Sequence, residues 1–378
     1  MTETTQELKK AVVNIKIIGI GGGGNNVVKR IASNTDLKLN LIAINTDAKQ
    51  LRALDNEQIQ KIQIGKNITK GLGCGGNPEL GYQAAKEDYE LIKNALAGAD
   101  MIFLTAGLGS GTGTGALPII AKIAHDMNIL SVCVVTVPFS FEGSRKQRTA
   151  EKSIKDLTPY VDGLIVVHND NLLKIKTNTR LTLVNAFRMA DSVLRQAIRC
   201  ISELILTVGV INVDFADVNS IFKQSSHPDA ILGIGESDLG AVEAVKEAVN
   251  SPLIERDLSG ARGIILNVYG SDKLTLYEVN EATKYVYEHT NPEVNIILGT
   301  VVNNQLGDRV RVTIVATDFI TDTPDEPEEK PVEAPKSQEK PAPKPSKKND
   351  LDLPDFMNKV DDDKKNTHSI FPFFNFDK

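Results

Sequence analysis

The sequence contains no apolar run of the roughly 18 residues that a membrane-spanning helix needs, so membrane insertion is not expected. The apolar stretch near the N-terminus runs into four glycines rather than a small-residue cleavage site, which argues against a signal peptide. The three cysteines are far apart and odd in number, so they predict no disulfide framework and favour a reducing compartment. Together these absences predict a soluble protein of the cytoplasm.

Histidine clusters and an excess of basic charge are also missing. The five histidines form neither an H-E-x-x-H motif nor a group with cysteine, so a dedicated zinc site is not expected. The formal net charge is −6, which argues against nucleic acid as a partner. What is present is a chain of 378 residues, 41% of them apolar, which is enough for two domains with cores of their own.

The first half of the chain alternates short apolar runs with helical segments. Runs rich in β-branched residues predict strands at 12–20, 39–44, 101–105, 129–136 and 164–167. Helices are predicted between them at 25–33, 79–97 and 117–127. This alternation predicts an α/β fold with a mostly parallel sheet covered on both faces.

A different pattern begins at residue 183. Apolar residues recur there at spacings of four and three, which predicts a long central helix at 181–208 with one buried stripe. Further helices are predicted at 239–249 and 274–289, with strands at 263–268, 295–302 and 310–316. We therefore expect a flexible N-terminus at 1–12, a first domain at 13–180, the central helix, and a smaller α/β domain at 209–319.

The end of the chain has a biased composition. Seven of the sixteen prolines lie between residues 324 and 345, so 320–349 is predicted to be a disordered linker. Apolar residues return in L-D-L-P-D-F-M at 351–357, and 350–360 is therefore predicted to be a docking peptide. The remaining segment, 361–378, holds four of the twelve phenylalanines, and the sequence assigns it no role.

Two glycine-rich loops each follow a predicted strand and precede a helix. The first, Gly19 to Gly24, satisfies G-x-G-x-x-G, in which glycines let the backbone approach a phosphate at a helix start. Asp47 ends the next strand about where a ribose-binding carboxylate would lie. One hypothesis is therefore a nicotinamide-dependent enzyme that binds NAD.

The second loop favours a different nucleotide. G-L-G-S-G-T-G-T-G at 107–115 fits neither G-x-G-x-x-G nor the Walker motif, yet it offers several N–H groups and two threonine hydroxyls to phosphate oxygens. Together with the glycines at 71–76, these loops predict one site at the strand ends. Such a site fits a nucleoside di- or triphosphate better than a dinucleotide.

These motifs, taken in order, resemble the tubulin/FtsZ family. The chain carries, in the order that FtsZ has them, G-G-G-G-N-N at 21–26, N-T-D at 45–47, the 107–115 loop, F-S-F-E-G at 139–143, N-V-D-F-A-D at 212–217 and an adaptor-like L-D-L-P-D-F at 351–356. The resemblance covers residues 13–318 and that peptide. It implies a tubulin-like fold: an N-terminal Rossmann-like GTPase domain, a long central helix, a smaller C-terminal domain and a disordered tail.

The resemblance implies GTP or GDP as the ligand. It assigns nucleotide contacts in the two glycine loops to Gly22, Gly23, Gly24, Asn25, Asn26, Gly109, Gly111, Thr112, Gly113 and Thr114. The loop at 71–76 would sense the γ-phosphate, Glu142 would contact the ribose, and Asn169 would lie near the sugar and base. Lys146 stands where the family usually has arginine, so it keeps the charge but loses the planar fork, for which Arg145 could substitute.

Two residues of the central helix are matched to the base. Asp191 would read guanine, because a carboxylate accepts from both N1–H and N2–H₂, a donor pair that adenine lacks. Phe187, four residues earlier on the same helix face, would pack on the base. By spacing alone, Asp191 as a solvated helix residue and Phe187 as a core residue stay open.

Asn212, Asp214 and Asp217 match the FtsZ loop that enters the nucleotide site of the next subunit. By spacing alone, the two aspartates are an N-cap and a first-turn acid. By resemblance, the three residues position a cation and the attacking water, with Mg²⁺ between phosphate oxygens. Hydrolysis would then require assembly, and the head-to-tail interface would generate filaments.

The implied function is a GTPase whose filaments form the bacterial division ring (Z ring) at mid-cell. The peptide at 351–357 would dock to membrane-anchoring division adaptors such as FtsA. Ser110 and Lys146 depart from the family pattern, so a GTP-binding scaffold that does not hydrolyse GTP stays open. Another task within the superfamily, such as plasmid segregation or cell shape, also stays open.

Overall fold

The structure, a computed structural model, describes residues 13–33, 39–174, 182–207, 211, 213–225, 227–302 and 306–319. Its strands are β1 (Ile15–Ile20), β2 (Asn40–Asn45), β3 (Ile59–Gln63), β4 (Met101–Gly107), β5 (Leu130–Val137), β6 (Gly163–His168), β7 (Asp229–Ser237), β8 (Ala261–Gly270), β9 (Asn295–Val302) and β10 (Val310–Phe319). Its helices are α1 (Gly21–Ser33), α2 (Ala48–Arg52), α3 (Lys66–Thr69), α4 (Pro78–Glu87), α5 (Tyr89–Leu96), α6 (Thr112–Asp126), α7 (Ser144–Leu157), α8 (Asn169–Leu172), α9 (Leu183–Leu206), α10 (Phe215–Gln224), α11 (Ala241–Val249) and α12 (Leu276–Glu288).

All ten strands belong to one sheet, in the order β3-β2-β1-β4-β5-β6-β7-β10-β8-β9. The strands from β3 to β7 are parallel, and β10 runs antiparallel to both of its neighbours. Because they are parallel, β1, β2, β4, β5 and β6 end at the same edge of the sheet, which we call the carboxyl edge. Ligands of open α/β sheets bind at such an edge.

Helices cover both faces of this sheet. On one face, α9 buries Ile198, Ile201 and Leu204 in a core shared by strands from both halves of the chain. On the other face, α4, α5, α6 and α7 pack on the parallel strands. A third cluster lies between α11, α12 and strands β8 and β10.

Several elements differ from the sequence predictions. Strands β3 and β7 and helix α7 were not predicted, and the helix predicted at 79–97 is interrupted at Asp88. Helices α1 and α6 begin inside the glycine loops, at Gly21 and Thr112. The predicted buried stripe of α9 is wrong over its first turns, because Leu183 is 60% exposed and Phe187 is 41% exposed.

The predicted linker at 320–349, the docking peptide at 350–360, the phenylalanine-rich segment at 361–378 and the N-terminus at 1–12 lie outside the described residues. Among the helices that the structure describes, none is both long and apolar enough to cross a membrane.

Candidate nucleotide site

The first glycine loop forms the start of α1 at the carboxyl edge. Gly22 and Gly23 are exposed there, and a Cβ on Gly24 would lie 2.2 Å from the Thr105 carbonyl oxygen. Glycine is therefore required where α1 crosses β4. The exposed backbone of the first turn is free of side chains and can approach a ligand.

Asn25 and Asn26 were both predicted to contact nucleotide, but Asn25 is buried and Asn26 is exposed. In the amide orientation that satisfies its neighbours, Asn25 donates to the carbonyls of Gly19 at 2.8 Å and Gly21 at 3.1 Å, and accepts from Asn45 Nδ2 at 3.0 Å. Asn25 is buried, and its amide ties α1 to the end of β2. Asn26 is exposed and remains available to a ligand.

The second glycine loop connects β4 to α6. Ser110 is exposed, whereas Gly109, Gly111 and Gly113 are buried. Gly111 precedes α6 and supplies no side-chain cap, so the first N–H groups of this 15-residue helix are left to another acceptor. An uncapped helix N-terminus attracts anions, which suits a phosphate at this position.

Two predicted nucleotide contacts are buried and have a polar atom that is not used within the protein. In the described part of the chain, neither Thr114 Oγ1 nor Asn169 Oδ1 has a hydrogen-bond partner. Both atoms are therefore left to a ligand or to water, and the assignment of both residues to the nucleotide stays a prediction.

Glu142 and Lys146 lie side by side where β5 leads into α7. Lys146 Nζ is 3.0 Å from Glu142 Oε2, and the Phe139 N–H donates to the other carboxylate oxygen at 3.1 Å. The lysine therefore orients the glutamate that was predicted to contact ribose. Arg145, the predicted substitute, is exposed.

Three aromatic rings form a corner between the β5 loop and α9. Phe187 meets Phe139 edge to face at a centroid distance of 5.5 Å, and Phe139 stacks on Phe141 at 5.1 Å. Because Phe187 is partly exposed rather than a core residue, it offers a surface on which a planar base can stack.

Asp191 lies one turn beyond Phe187 and pairs with Arg30 of α1. Arg30 Nε donates to Asp191 Oδ2 at 3.1 Å, and the aspartate side chain is only 15% exposed. Asp191 is thus not a solvated helix residue. Burial raises the pKa of its carboxyl, and the charge and hydrogen bond of Arg30 oppose that rise.

The two predicted catalytic aspartates form a reciprocal cap at the start of α10. Asp214 Oδ1 accepts from the Asp217 N–H at 2.9 Å, and Asp217 Oδ2 accepts from the Asp214 N–H at 3.4 Å. Both side chains are exposed, so their other oxygens face solvent. The third predicted residue, Asn212, lies outside the described residues.

These aspartates lie far from the rest of the predicted site. Val213 and Leu204 both pack against Gly299, which places Asp214 beside the last turn of α9. Phe187 lies 17 residues before Leu204 on the same helix, a rise of about 25 Å. The structure therefore places Phe187 and Asp191 towards one end of α9 and leaves Asp214 beside its other end.

No three His, Cys, Asp or Glu side chains of the described ranges are grouped as a protein-held metal site requires.

The sequence did not predict two contacts of this region. Arg30 pairs with Asp191, which lies 161 positions further along the chain. The Thr46 hydroxyl lies 2.7 Å from the hydroxyl of Thr112, which is 66 positions further along. For Arg30 the available signal was its position one turn after Asn26 on the same helix.

Two glycine loops at the edge of a parallel sheet, followed by a long helix and further strands of the same sheet, define a nucleotide-binding protein of tubulin-like fold. The model of the Tubulin/FtsZ family GTPase domain matches residues 14–177, and that of the FtsZ family C-terminal domain matches residues 229–320. An empty FtsZ dimer from M. jannaschii is 41% identical, with a TM-score of 0.78, over 83% of this chain and 91% of that one. The chain belongs to the FtsZ family.

Other solved structures agree with this assignment. A point mutant of FtsZ from M. jannaschii is also 41% identical, with a TM-score of 0.79, over 84% of this chain and 94% of that one. CetZ2 from Haloferax volcanii, described as a GTPγS-bound protofilament, is 21% identical with a TM-score of 0.68 over 82% and 94%, which shows the fold alone. The predicted tubulin-like fold is confirmed, and this family consists of GTPases that bind GTP and GDP.

Proposed function

We propose that the chain polymerises head to tail and hydrolyses GTP at a site completed by the adjacent subunit. The observation that supports this best is the separation of Asp214 from Asp191, which lies 13 residues before Leu204 on α9, a rise of about 20 Å. One chain cannot bring that carboxylate to its own nucleotide. A second copy stacked end to end can, because its α10 would then face the carboxyl edge of the first.

The nucleotide would lie on the carboxyl edge with its phosphates on the uncapped start of α6 and the exposed turn of α1. Asp191 would accept from guanine, Phe187 would stack on it, and Glu142 would contact the ribose. Asp214 and Asp217, with Asn212, would orient water from the adjacent subunit. Mg²⁺ brought in with the nucleotide would supply positive charge at the phosphates, and Asp214 and Asp217 are the carboxylates that would face it from the adjacent subunit.

Exposed apolar side chains support an interface at the same edge. Leu72 is 83% exposed and Phe141 is 62% exposed, and both belong to loops that surround the candidate site. In a head-to-tail contact the adjacent subunit would cover both side chains and remove their apolar surface from water. The contact would join unlike faces, so it would build open filaments rather than closed rings.

The cellular part of the proposal depends on the family and on sequence. The filaments would form the division ring of a bacterial cell, in the cytoplasm at mid-cell. Residues 351–357 would attach them to a membrane-anchoring adaptor such as FtsA. This peptide lies in the part of the chain that the structure does not describe.

The test is phosphate release from GTP, with Mg²⁺, at increasing protein concentration. For the wild-type chain we expect a threshold protein concentration below which no phosphate is released. The control Asp156→Asn, at an exposed position on α7, should show the same threshold. Asp214→Asn, which keeps a capping oxygen, should bind GTP and release no phosphate. A specific rate independent of concentration would show that each monomer holds a whole site, and GTP binding without hydrolysis by the wild type would favour the scaffold.

A further inference from the structure

Three small polar side chains meet where three loops of the carboxyl edge come together. Thr46 Oγ1 lies 2.7 Å from Thr112 Oγ1 and 3.3 Å from Cys74 Sγ, and Thr112 Oγ1 lies 3.5 Å from the same sulfur. Thr46 follows β2, Thr112 begins α6, and Cys74 belongs to the loop at 71–76. All three residues are buried, and Thr46 has no exposed surface.

The loops that carry these side chains are also joined by backbone contacts. The Ala48 N–H donates to the Gly71 carbonyl at 3.0 Å, and Asp47 forms an isolated β-bridge with Leu72. A Cβ on Gly111, just before α6, would lie 2.4 Å from Cys74 Cβ. A displacement of the α6 start or of the loop at 71–76 therefore disturbs the other.

Each of the three groups carries one proton and can also accept a hydrogen bond. Without a ligand, Thr112 can donate to Thr46 or to Cys74. When Thr112 donates to a phosphate oxygen, its own oxygen accepts from Thr46, and Thr46 then accepts from Cys74. Hydrogen bonds that run in one direction polarise one another, so phosphate binding orders the whole series.

We propose that Thr46 is a positioning residue whose buried hydroxyl transmits the phosphate contact at Thr112 to Cys74 and so holds the loop at 71–76 in place. This inference rests on the proposed GTP site. It assigns to Thr46 a role in the response to bound phosphate rather than in contact with the nucleotide.

Cys74 is a reporter for this role. The other two cysteines of the chain, Cys133 and Cys200, are buried, and burial raises the pKa of both thiols, to about 12 for Cys200. Thiolates react and neutral thiols do not, so these two should react slowly with the thiol reagent DTNB. Cys74 is 5% exposed, so its reaction rate measures how often the loop at 71–76 opens.

The experiment measures DTNB labelling of the full chain at concentrations too low for assembly. Labelling is compared without nucleotide, with saturating GDP and with a saturating, slowly hydrolysed GTP analogue, after titration calorimetry has confirmed saturation. We expect bound nucleotide to slow labelling of the wild type about tenfold. A factor of ten in rate corresponds to the free energy of about one hydrogen bond. Thr46→Val should bind nucleotide yet lose most of this slowing, and Thr46→Ser should restore it.

The matched control is Thr105→Val, which removes a buried hydroxyl that has no partner among the described residues. It should label like the wild type. Full slowing in Thr46→Val would show that the nucleotide covers Cys74 by itself, and the inference would be wrong. If the wild-type chain binds nucleotide and the labelling of Cys74 is not slowed, the inference is also wrong. If the wild-type chain binds no GTP, the proposed function itself is wrong.

Discussion

At the scale of single residues, the pair of Arg30 and Asp191 controls the predicted guanine contact. Only an ionised carboxylate can accept from both guanine donors, and burial of Asp191 opposes ionisation by raising the pKa of its carboxyl. Arg30 opposes that rise, and it occupies one lone pair of Oδ2, at 3.1 Å. Oδ1 and the second lone pair of Oδ2 can still accept from a base.

We expect Arg30→Gln to make guanine nucleotide binding strongly pH-dependent. Without the guanidinium, the pKa of Asp191 rises further, so the carboxylate becomes protonated, and loses affinity for guanine, at a higher pH than in the wild type. Titration calorimetry with GDP from about pH 8 to pH 5 should show roughly tenfold loss of affinity per unit of pH below that pKa. Arg52→Gln on α2 is the control, and parallel pH profiles for Arg30→Gln and the wild type would contradict the prediction.

Among residues, the sequence indicated those that belong to a contiguous motif. The two glycine loops could be found because each follows a recognisable strand end, and Glu142 and Asn169 were assigned through the resemblance to the family. The contacts of Arg30 and Thr46 could not be predicted, because their partners are set by which strands become neighbours in the sheet. The assignment of Asn25 to the nucleotide stays a prediction, and in the structure its amide also ties the start of α1 to the end of β2.

At the scale of elements, α10 depends on the aspartates that are proposed to act in hydrolysis. Asp214 accepts from the Asp217 N–H, so Asp214→Ala should lower the free energy of unfolding by about 1 kcal/mol. Asp214→Asn should retain nearly full stability, because asparagine is an equally good N-cap. Urea unfolding checks this, and equal destabilisation by both substitutions would show that the cap depends on charge rather than on a side-chain oxygen.

The clearest predictions at this scale are the strands with uniform burial. Strands β1, β4 and β5 are almost entirely buried and read as apolar runs. Helix α7 escaped prediction because Ala150, Ile154 and Leu157 are the only apolar residues among its 14, too few to show a helical period. In α9 the apolar spacing continues into turns that are exposed beside the candidate base site, and periodicity alone cannot distinguish a core contact from a ligand contact.

At the scale of the whole molecule, the two halves share one sheet and one core. Strand β7 pairs with β6 at Leu164–Asp229 and Ile165–Ala230 and with β10 along its length, and α9 packs strands of both halves. We therefore expect one cooperative unfolding transition. Ile201→Ala, at a fully buried position, should lower the stability of that transition by about 3 kcal/mol, and Ile201→Val by about 1.

Differential scanning calorimetry checks this expectation. The wild type and both Ile201 variants should each show a single peak. The peak of Ile201→Val should lie at a lower temperature than that of the wild type, and the peak of Ile201→Ala lower still. Two separate peaks, with only one of them displaced, would show that the halves unfold independently despite the continuous sheet.

The length of α9 has a consequence for the two ends of a growing stack. In the proposed filament, guanine recognition would lie at one end of each subunit and Asp214 at the other, so a filament would hold one fewer completed site than it has subunits. One terminal subunit would expose its nucleotide to solvent, free to exchange and without a neighbour to promote hydrolysis. The opposite terminal subunit would have aspartates with no nucleotide to act on, so the two tips of the same filament would be chemically different and would gain and lose subunits at different rates.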